Sequence, residues 1–399
     1  SLGLVGSEMC IRDSYVPVYD ATIVKKLREA GADFVCKASM DELGMGGTNK
    51  NACTGAVHNP YDLDRIPGGS SGGCAALVAA GCVPLAIGTD TGDSVRKPAA
   101  YCGVVGVKPT YGRISRYGII PYASSLDHVG YFTTNIKDAA LALEVLAGRD
   151  DHDMTSSYEA VKEYSKLLNG DLTNKTIGIF KTVMDEVKNE ELKAQFNTLV
   201  SKLEEKGAKI VEVEMPKEYM ELIAPVYKTI ANAEATANHS NLDGIRFGMR
   251  EEGQDLEEVM TNTRTKGFSS YVRARFVIGS YSLFEENQDR LFRKAQKIRR
   301  LIVQAYAKMF EECDAVLSVA APTIAPLINE STNVRFGVSS FAEEHMQLQN
   351  FSGYPSITLP LGKVDSMPVA VNLTCKPFEE QKMLSLIHIS EPTRPRLIS

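Results

Sequence analysis

The chain has 399 residues, 44 % of them apolar and 24 % charged, which describes a globular, enzyme-sized protein and excludes a disordered or fibrous one. No run of about 18 apolar residues occurs, which argues against a membrane-spanning helix, and a formal net charge of −6 argues against a free-standing nucleic-acid binder. The eight cysteines form no C-x-x-C pair and only six histidines could join them, so scattered thiols in a reducing cytosol fit better than a zinc site or disulfide framework.

In chain order, Ala21–Ala30 has helical periodicity and stops at Gly31, and Ala32–Ala38 reads as a short strand. Cys74–Ala80 is apolar enough for a buried helix, Val83–Ile87 for a buried strand, and Lys137–Ala147 for another helix. Thr176–Phe180 and Ala208–Val213 read as strands flanking a charged amphipathic helix, Glu186–Lys206, that ends at Gly207. From Pro216 to about Cys313 the pattern is almost wholly helical, and Ala315–Val319, Ser356–Leu359 and Val369–Thr374 return to strands. Alternating strands and helices imply an α/β fold, layered α/β/α around a mostly buried sheet, with residues 216–313 as a helical subdomain.

Both ends break this pattern. Residues 1–14 carry neither the basic region nor the long apolar region of a signal peptide, and residues 385–399 depart from a text that is coherent to Leu384. Both stretches read as non-native tails around a domain spanning 15–384 that is truncated at both ends.

Two Gly/Ser-rich segments carry the chemistry. Pro67-Gly68-Gly69-Ser70-Ser71-Gly72-Gly73 runs into the helix at Cys74, and Gly88-Thr89-Asp90-Thr91-Gly92-Asp93-Ser94-Val95-Arg96 runs out of the strand before it. Glycines admit close backbone approach, and unpaired N–H groups at a helix start favour developing negative charge. A phosphate loop fails, because no lysine follows Gly73 or Gly92. A nucleophile elbow is matched formally by Gly69–Gly73, but Asp62–Pro67 is a poor strand and the histidines at 128, 152, 239, 345 and 388 sit in no telling context. A serine activated without histidine, through a second hydroxyl and a lysine, is the remaining reading.

The two segments, with Ser70 and Ser94 24 residues apart, resemble the amidase signature family. Within it, DATIVKKLREAGADFVCKASMDELGMG, NPYDLDRIPGGSSGG, CGVVGVKPTYGRISRYGIIPYASSLDHVG and DGIRFG resemble the A-subunit branch of the tRNA-dependent amidotransferases, over essentially Tyr15–Leu384. The resemblance implies an amidase-signature α/β/α fold with a central mixed sheet and a helical insertion. It implies that Ser94 attacks the carboxamide of glutamine to give an acyl-enzyme and ammonia, that Ser70 after a cis peptide relays the proton, and that Thr91, Gly92 and Asp93, with Ser94, form the oxyanion hole. It further implies B and C subunits as partners, misacylated Glu-tRNA(Gln) or Asp-tRNA(Asn) met mainly through the B subunit, ATP and Mg used by the complex with no cofactor or metal in this chain, and a cytoplasmic setting. The alternatives are a stand-alone amidase and a catalytically dead structural subunit.

The resemblance also defines two departures. Its general-base lysine falls before residue 1, and Lys25, Lys26, Lys37 and Lys50 do not match that motif, so the base is assigned to no residue and glutamine hydrolysis near background is expected until the missing N-terminal stretch is restored. Asp93 stands where glycine is commoner; a carboxylate there repels an oxyanion unless it points away, with Lys97 as a candidate counter-charge. For the substrate, the resemblance implies Arg275 for the glutamine carboxylate, Tyr227 beside it, and Glu343 for the amino group. The basic residues of Asp289–Cys313 read as a solvated face, with Leu291, Ile298, Leu301 and Ile302 as its core side.

Overall fold

A computed structural model of the chain describes residues 17–246, 248–331 and 340–387; the tail read at 1–14, His388 and most of the tail read at 385–399 lie outside them. Eight strands form one mixed sheet: β1 (Leu85–Asp90), β2 (Val105–Lys108), β3 (His128–Thr133), β4 (Thr176–Phe180), β5 (Lys209–Val213), β6 (Ala315–Val319), β7 (Ser356–Val364) and β8 (Met367–Cys375). Their order is β1-β3-β2-β7-β8-β6-β4-β5. β4 pairs in parallel with β5 and β6, and every other neighbouring pair is antiparallel.

β2, β3, β6 and β8 are buried at every position, as strands covered on both faces must be. On β3, Phe132 joins one apolar cluster with Ala75, Val78 and Ala99, whereas Val129 and Tyr131 join the larger core on the opposite face. The helices Gly72–Ala79 and Arg96–Cys102 therefore lie on one side of the sheet, and Ile136–Leu146, whose Ala139 carbonyl accepts from Tyr131 Oη at 2.8 Å, on the other.

The crossover from β4 to β5 shows how directly local sequence sets an element. In the helix Glu190–Glu205 the Asn189 side chain caps Leu192 N–H, Glu190 and Glu191 occupy the first turn, and Leu192, Phe196, Leu199 and Leu203 form the buried stripe. Gly207, at φ 96°, turns the chain into β5.

The structure departs from the sequence reading at three points. Ala32–Ala38 is irregular, with Val35 73 % exposed; its apolar residues have no sheet to join. The basic run 289–313 begins with a π-helical turn, Asp289–Arg293, before the helix Lys294–Met309, and it is the solvated face expected, with Arg290, Arg293, Lys294, Lys297, Arg300 and Lys308 exposed, except at two positions. Arg299 donates to the carbonyls of Phe351 and Ser125, both at 2.9 Å, while Leu301, expected in the core, is 46 % exposed. Finally, β2 and β3 escaped the sequence reading.

The helix Glu380–Ile387 runs across the boundary read at Leu384, with Leu386 buried. Two helices of the insertion, Lys217–Asn238 and Ser270–Leu283, cross closely at Gly279, where a Cβ would lie 2.1 Å from the Asn232 carbonyl oxygen. That crossing brings Tyr227 and Arg275 to one wall. Among the described residues no helix is long and apolar enough to cross a membrane, no group of acidic, His and Cys side chains is arranged to hold a metal ion, and no disulfide joins two cysteines.

Candidate active site

The segment 67–73 is held against β1 by its serines. Ser71 Oγ donates to the Thr89 carbonyl at 3.1 Å and accepts from Thr89 N–H at 3.2 Å, while Ser71 N–H donates to the Ser94 carbonyl at 3.1 Å. The two Gly/Ser-rich segments are thus one unit. The Gly69–Ser70 peptide is cis.

Glycine is required here by space more than by backbone angle. A Cβ on Gly69 would fall 2.2 Å from Asp41 Oδ2, and one on Gly73 2.2 Å from the Ser39 carbonyl. Asp41, which sequence reasoning did not single out, is fully buried and accepts from the N–H groups of Thr48, Asn49 and Asn51 at 3.2, 2.8 and 3.2 Å. Burial pushes its carboxyl up to about 6, against those three donors. Ser70 is buried as well, and its Oγ has no hydrogen-bond partner among the described residues, so no hydrogen bond joins it to Ser94.

β1 ends at Asp90, and Arg96 builds the loop between them. Its guanidinium donates to both Asp90 oxygens, at 3.0 and 2.8 Å, and to Gly92 O, Met346 O, Gln349 Oε1 and Asn350 Oδ1 at 2.7–2.8 Å. Asp90 Oδ2 also accepts from Val95 N–H at 3.0 Å, tying down the start of the helix Arg96–Cys102. Despite burial, Arg96 holds the Asp90 carboxyl well below the usual carboxylate range. From sequence, Arg96 and Lys97 also fit a solvated helix start; both are buried.

A cavity of about 270 Å³ opens beside this loop, walled by Gly92, Asp93, Ser94 and Lys97, by Tyr227 and Arg275 from the insertion, and by Glu343. Ser70 is not among its walls, and Thr91 turns away, its Oγ1 donating to Asp127 Oδ1 at 2.6 Å. Burial pushes Asp127 up to about 6, opposed by Thr91 and by the N–H groups of Ala123 and Tyr122. Asp93 does not adopt a positive φ, so no left-handed backbone is needed at this position. The loss of hydration around the Asp93 carboxyl, 26 % exposed, pushes it up to about 6 against the pull of Lys97.

Lys97 Nζ lies 3.9 Å from Asp93 and 3.1 Å from Glu343. Burial works against its charge, but Glu343 first, then Tyr101 and Asp93, hold the ammonium above the ordinary lysine value. Arg275 donates to Tyr122 Oη, Tyr271 Oη and, at 3.3 Å, Asn232 Oδ1; its Nε is buried without a partner among the described residues. Tyr227 stands opposite the loop, where a Cβ on Gly92 would come within 2.9 Å of its Oη.

The histidines stand apart from these walls. His128 and His345 are buried and lowered, first by burial and next by Lys108 and Lys97 respectively, His345 to about 3. The other lysines considered are occupied elsewhere or exposed: Lys26 donates to Ala147 O, Lys50 to Ile328 O at 2.6 Å and Ser331 O at 2.9 Å, and Lys37 lies at the surface.

The sequence profile of the Amidase family matches residues 7–384. The chain belongs to the amidase family. This amidase is 41 % identical over 389 residues to the glutamyl-tRNA(Gln) amidotransferase A subunit of Fusobacterium nucleatum, covering 97 % of this chain and 79 % of that one. It is 42 % identical to the protein of the same name from Coxiella burnetii, covering 96 % and 78 %. Among solved structures, the crystal structure of the glutamyl-tRNA(Gln) amidotransferase A subunit from Thermotoga maritima superposes with a TM-score of 0.81 at 32 % identity, covering 99 % and 84 %. The peptide amidase of Stenotrophomonas maltophilia does so with 0.79 at 25 % identity, covering 98 % and 83 %.

Within this amidase, the residues that sequence reasoning missed are supports: Asp41 beneath Gly69, Arg96 and Asn350 around Asp90, and Asp127 behind Thr91. Their one advance signal is that a buried loop of polar backbone needs buried partners, which does not say which residues supply them.

Proposed function

We propose that this chain is the glutamine-hydrolysing, ammonia-supplying subunit of an amidotransferase that converts Glu-tRNA(Gln), Asp-tRNA(Asn) or both to the amidated product, working with B and C subunits. The observation that carries this reading is that one cavity joins Ser94 and the loop before it to the guanidinium of Arg275. The likeness to glutamyl-tRNA(Gln) amidotransferase A subunits across most of both chains selects glutamine among amides.

In this reading the α-carboxylate of glutamine pairs with Arg275 beside Tyr227, and its α-ammonium faces Glu343. Ser94 Oγ attacks the side-chain carboxamide carbon as its proton passes to Ser70, whose hydroxyl, not bonded to Ser94 in this structure, turns to accept it once glutamine is bound. Negative charge on the carbonyl oxygen is received by N–H groups of the Thr91–Ser94 loop, each worth roughly 10²–10³ in rate. Protonation of the nitrogen and collapse of the tetrahedral adduct release ammonia and leave a γ-glutamyl ester on Ser94; water then yields glutamate. The proton acceptor beyond Ser70 is assigned to no residue here. ATP and Mg serve the activation of the tRNA-linked acid by the B subunit, and the setting is the cytoplasm.

The test is mass spectrometry of the full-length protein assembled with B and C subunits and given glutamine. A glutamyl adduct on Ser94, lost together with ammonia release in Ser94→Ala, is the expected result. Ammonia release undiminished in Ser94→Ala would remove the proposal, and hydrolysis of small amides by the chain alone, independent of partners and charged tRNA, would favour a stand-alone amidase. The carboxylate at 93 is the observation favouring a purely structural subunit, which predicts intact partner binding and no adduct.

A further inference from the structure

A carboxylate stands at position 93, inside the loop that lines the cavity, where it opposes any negative charge that forms there. Asp90 and Glu344 add repulsion. Arg96 is near, but its donors are committed to Asp90, Gly92, Met346, Gln349 and Asn350. The cation acting most strongly on Asp93 is Lys97, one helical turn further on. Its N–H donates to the Asp93 carbonyl at 2.8 Å, fixing the turn, and its Nζ reaches 3.9 Å from Asp93 Oδ2 and 3.1 Å from Glu343 Oε2.

We propose that Lys97 is a positioning residue for the reaction: its ammonium draws the Asp93 carboxylate to the helix side of the loop and offsets its charge, leaving the loop N–H groups to face the forming oxyanion. Lys97 and Asp93 therefore act as one unit, and losing the lysine matters only while the aspartate is present. This inference rests on the hydrolytic reading above.

The test is glutamine hydrolysis by the full-length protein assembled with its B and C subunits. Lys97→Met lowers kcat by about 10- to 100-fold, Lys97→Arg recovers most of it, and Asp93→Gly placed in the Lys97→Met background restores kcat to within about threefold of the parent. The double variant lacks the same buried lysine, so a loss caused by misfolding persists in it, and a loss caused by an uncompensated Asp93 does not. Unchanged kcat in Lys97→Met, or a loss that survives in the double variant, overturns the inference. Full activity in Ser94→Ala instead overturns the hydrolytic reading, so the two failures are told apart.

Discussion

Arg96 closes on Asp90 through two hydrogen bonds, at 2.8 and 3.0 Å, with no exposed surface on either side chain. Because the same guanidinium also holds the Gly92 carbonyl, the ion pair sets the shape of the loop that carries Ser94. A buried pair of this kind contributes little relative to an apolar filling, but breaking one side strands the other charge. Asp90→Asn keeps the size and removes the charge. It should destabilise the protein by about 3–5 kcal/mol, read from denaturant unfolding. An unchanged midpoint would show that Arg96 finds other compensation.

Ser70 gives the opposite pattern. Its hydroxyl is buried and unpaired among the described residues, so Ser70→Ala removes no interaction that holds the fold. The thermal midpoint should stay the same or rise slightly. Glutamine hydrolysis by the complex should fall by about 10²–10⁴ if Ser70 carries the proton. A variant that loses stability and activity together would make Ser70 a structural residue.

Arg275 offers a fork that lysine cannot reproduce. It donates to two tyrosine hydroxyls and to Asn232 while facing the cavity. Arg275→Lys keeps one charge but loses the planar pair of donors. KM for glutamine should rise by about 10- to 100-fold with a smaller change in kcat, because the carboxylate it binds is remote from the reacting carbon. Steady-state kinetics of the complex separate the two constants; a fall in kcat alone would place Arg275 outside substrate binding.

How far these features could be read in the sequence depended on whether each signal was local. Thr176–Phe180 and the helix after it carry their own periodicity and caps, and the structure has them there. The Gly/Ser segments announced a site because so many glycines before a helix need a reason. That reason proved to be crowding, by Asp41 at Gly69 and by Tyr227 at Gly92. Neither crowding partner is adjacent in sequence, and the same holds for Asn350, which meets Asp90 from 260 residues away. Such supports depend on tertiary packing, which a single sequence does not display.

The buried carboxyls predict an unusual response to acid. Asp41, Asp93 and Asp127 are each pushed up to about 6, chiefly by burial. A carboxyl raised above its unfolded value of about 3.9 binds more protons in the folded state, so these three favour folding increasingly as pH falls from about 7 toward 4. Asp90, Asp153 and Asp314 are lowered, and the stability they contribute, present above about 4, is lost on further acidification. His128 and His345, buried and lowered, act the other way, because below about pH 6.5 the unfolded chain binds the protons they refuse. The thermal midpoint should therefore stay nearly level between about pH 7 and 5 and drop below about pH 4. A midpoint that only declines from neutrality would mean that the three raised groups ionise freely in the folded protein.

The two crowded glycines should not respond alike to the same added methyl. At Gly92 the new Cβ meets the tip of Tyr227, at 2.9 Å from Oη and 3.0 Å from Cζ, and a side chain that ends in a hydroxyl can turn aside. At Gly69 it meets Asp41 Oδ2 at 2.2 Å together with the backbone nitrogens of Thr48 and Asn49 at 2.8 Å. Asp41 is itself anchored by three N–H groups, so nothing there can move without breaking hydrogen bonds in a buried place. Gly69→Ala should cost about 3 kcal/mol or more, and Gly92→Ala about 1 kcal/mol. Shortening the obstacle should rescue the second, since Tyr227→Ala opens the space, whereas Asp41→Ala leaves three buried donors unpaired and deepens the first defect. Unfolding free energies of the four variants and the two double variants decide it; equal costs at the two glycines would show that the wall at Gly69 yields as readily as the tyrosine does.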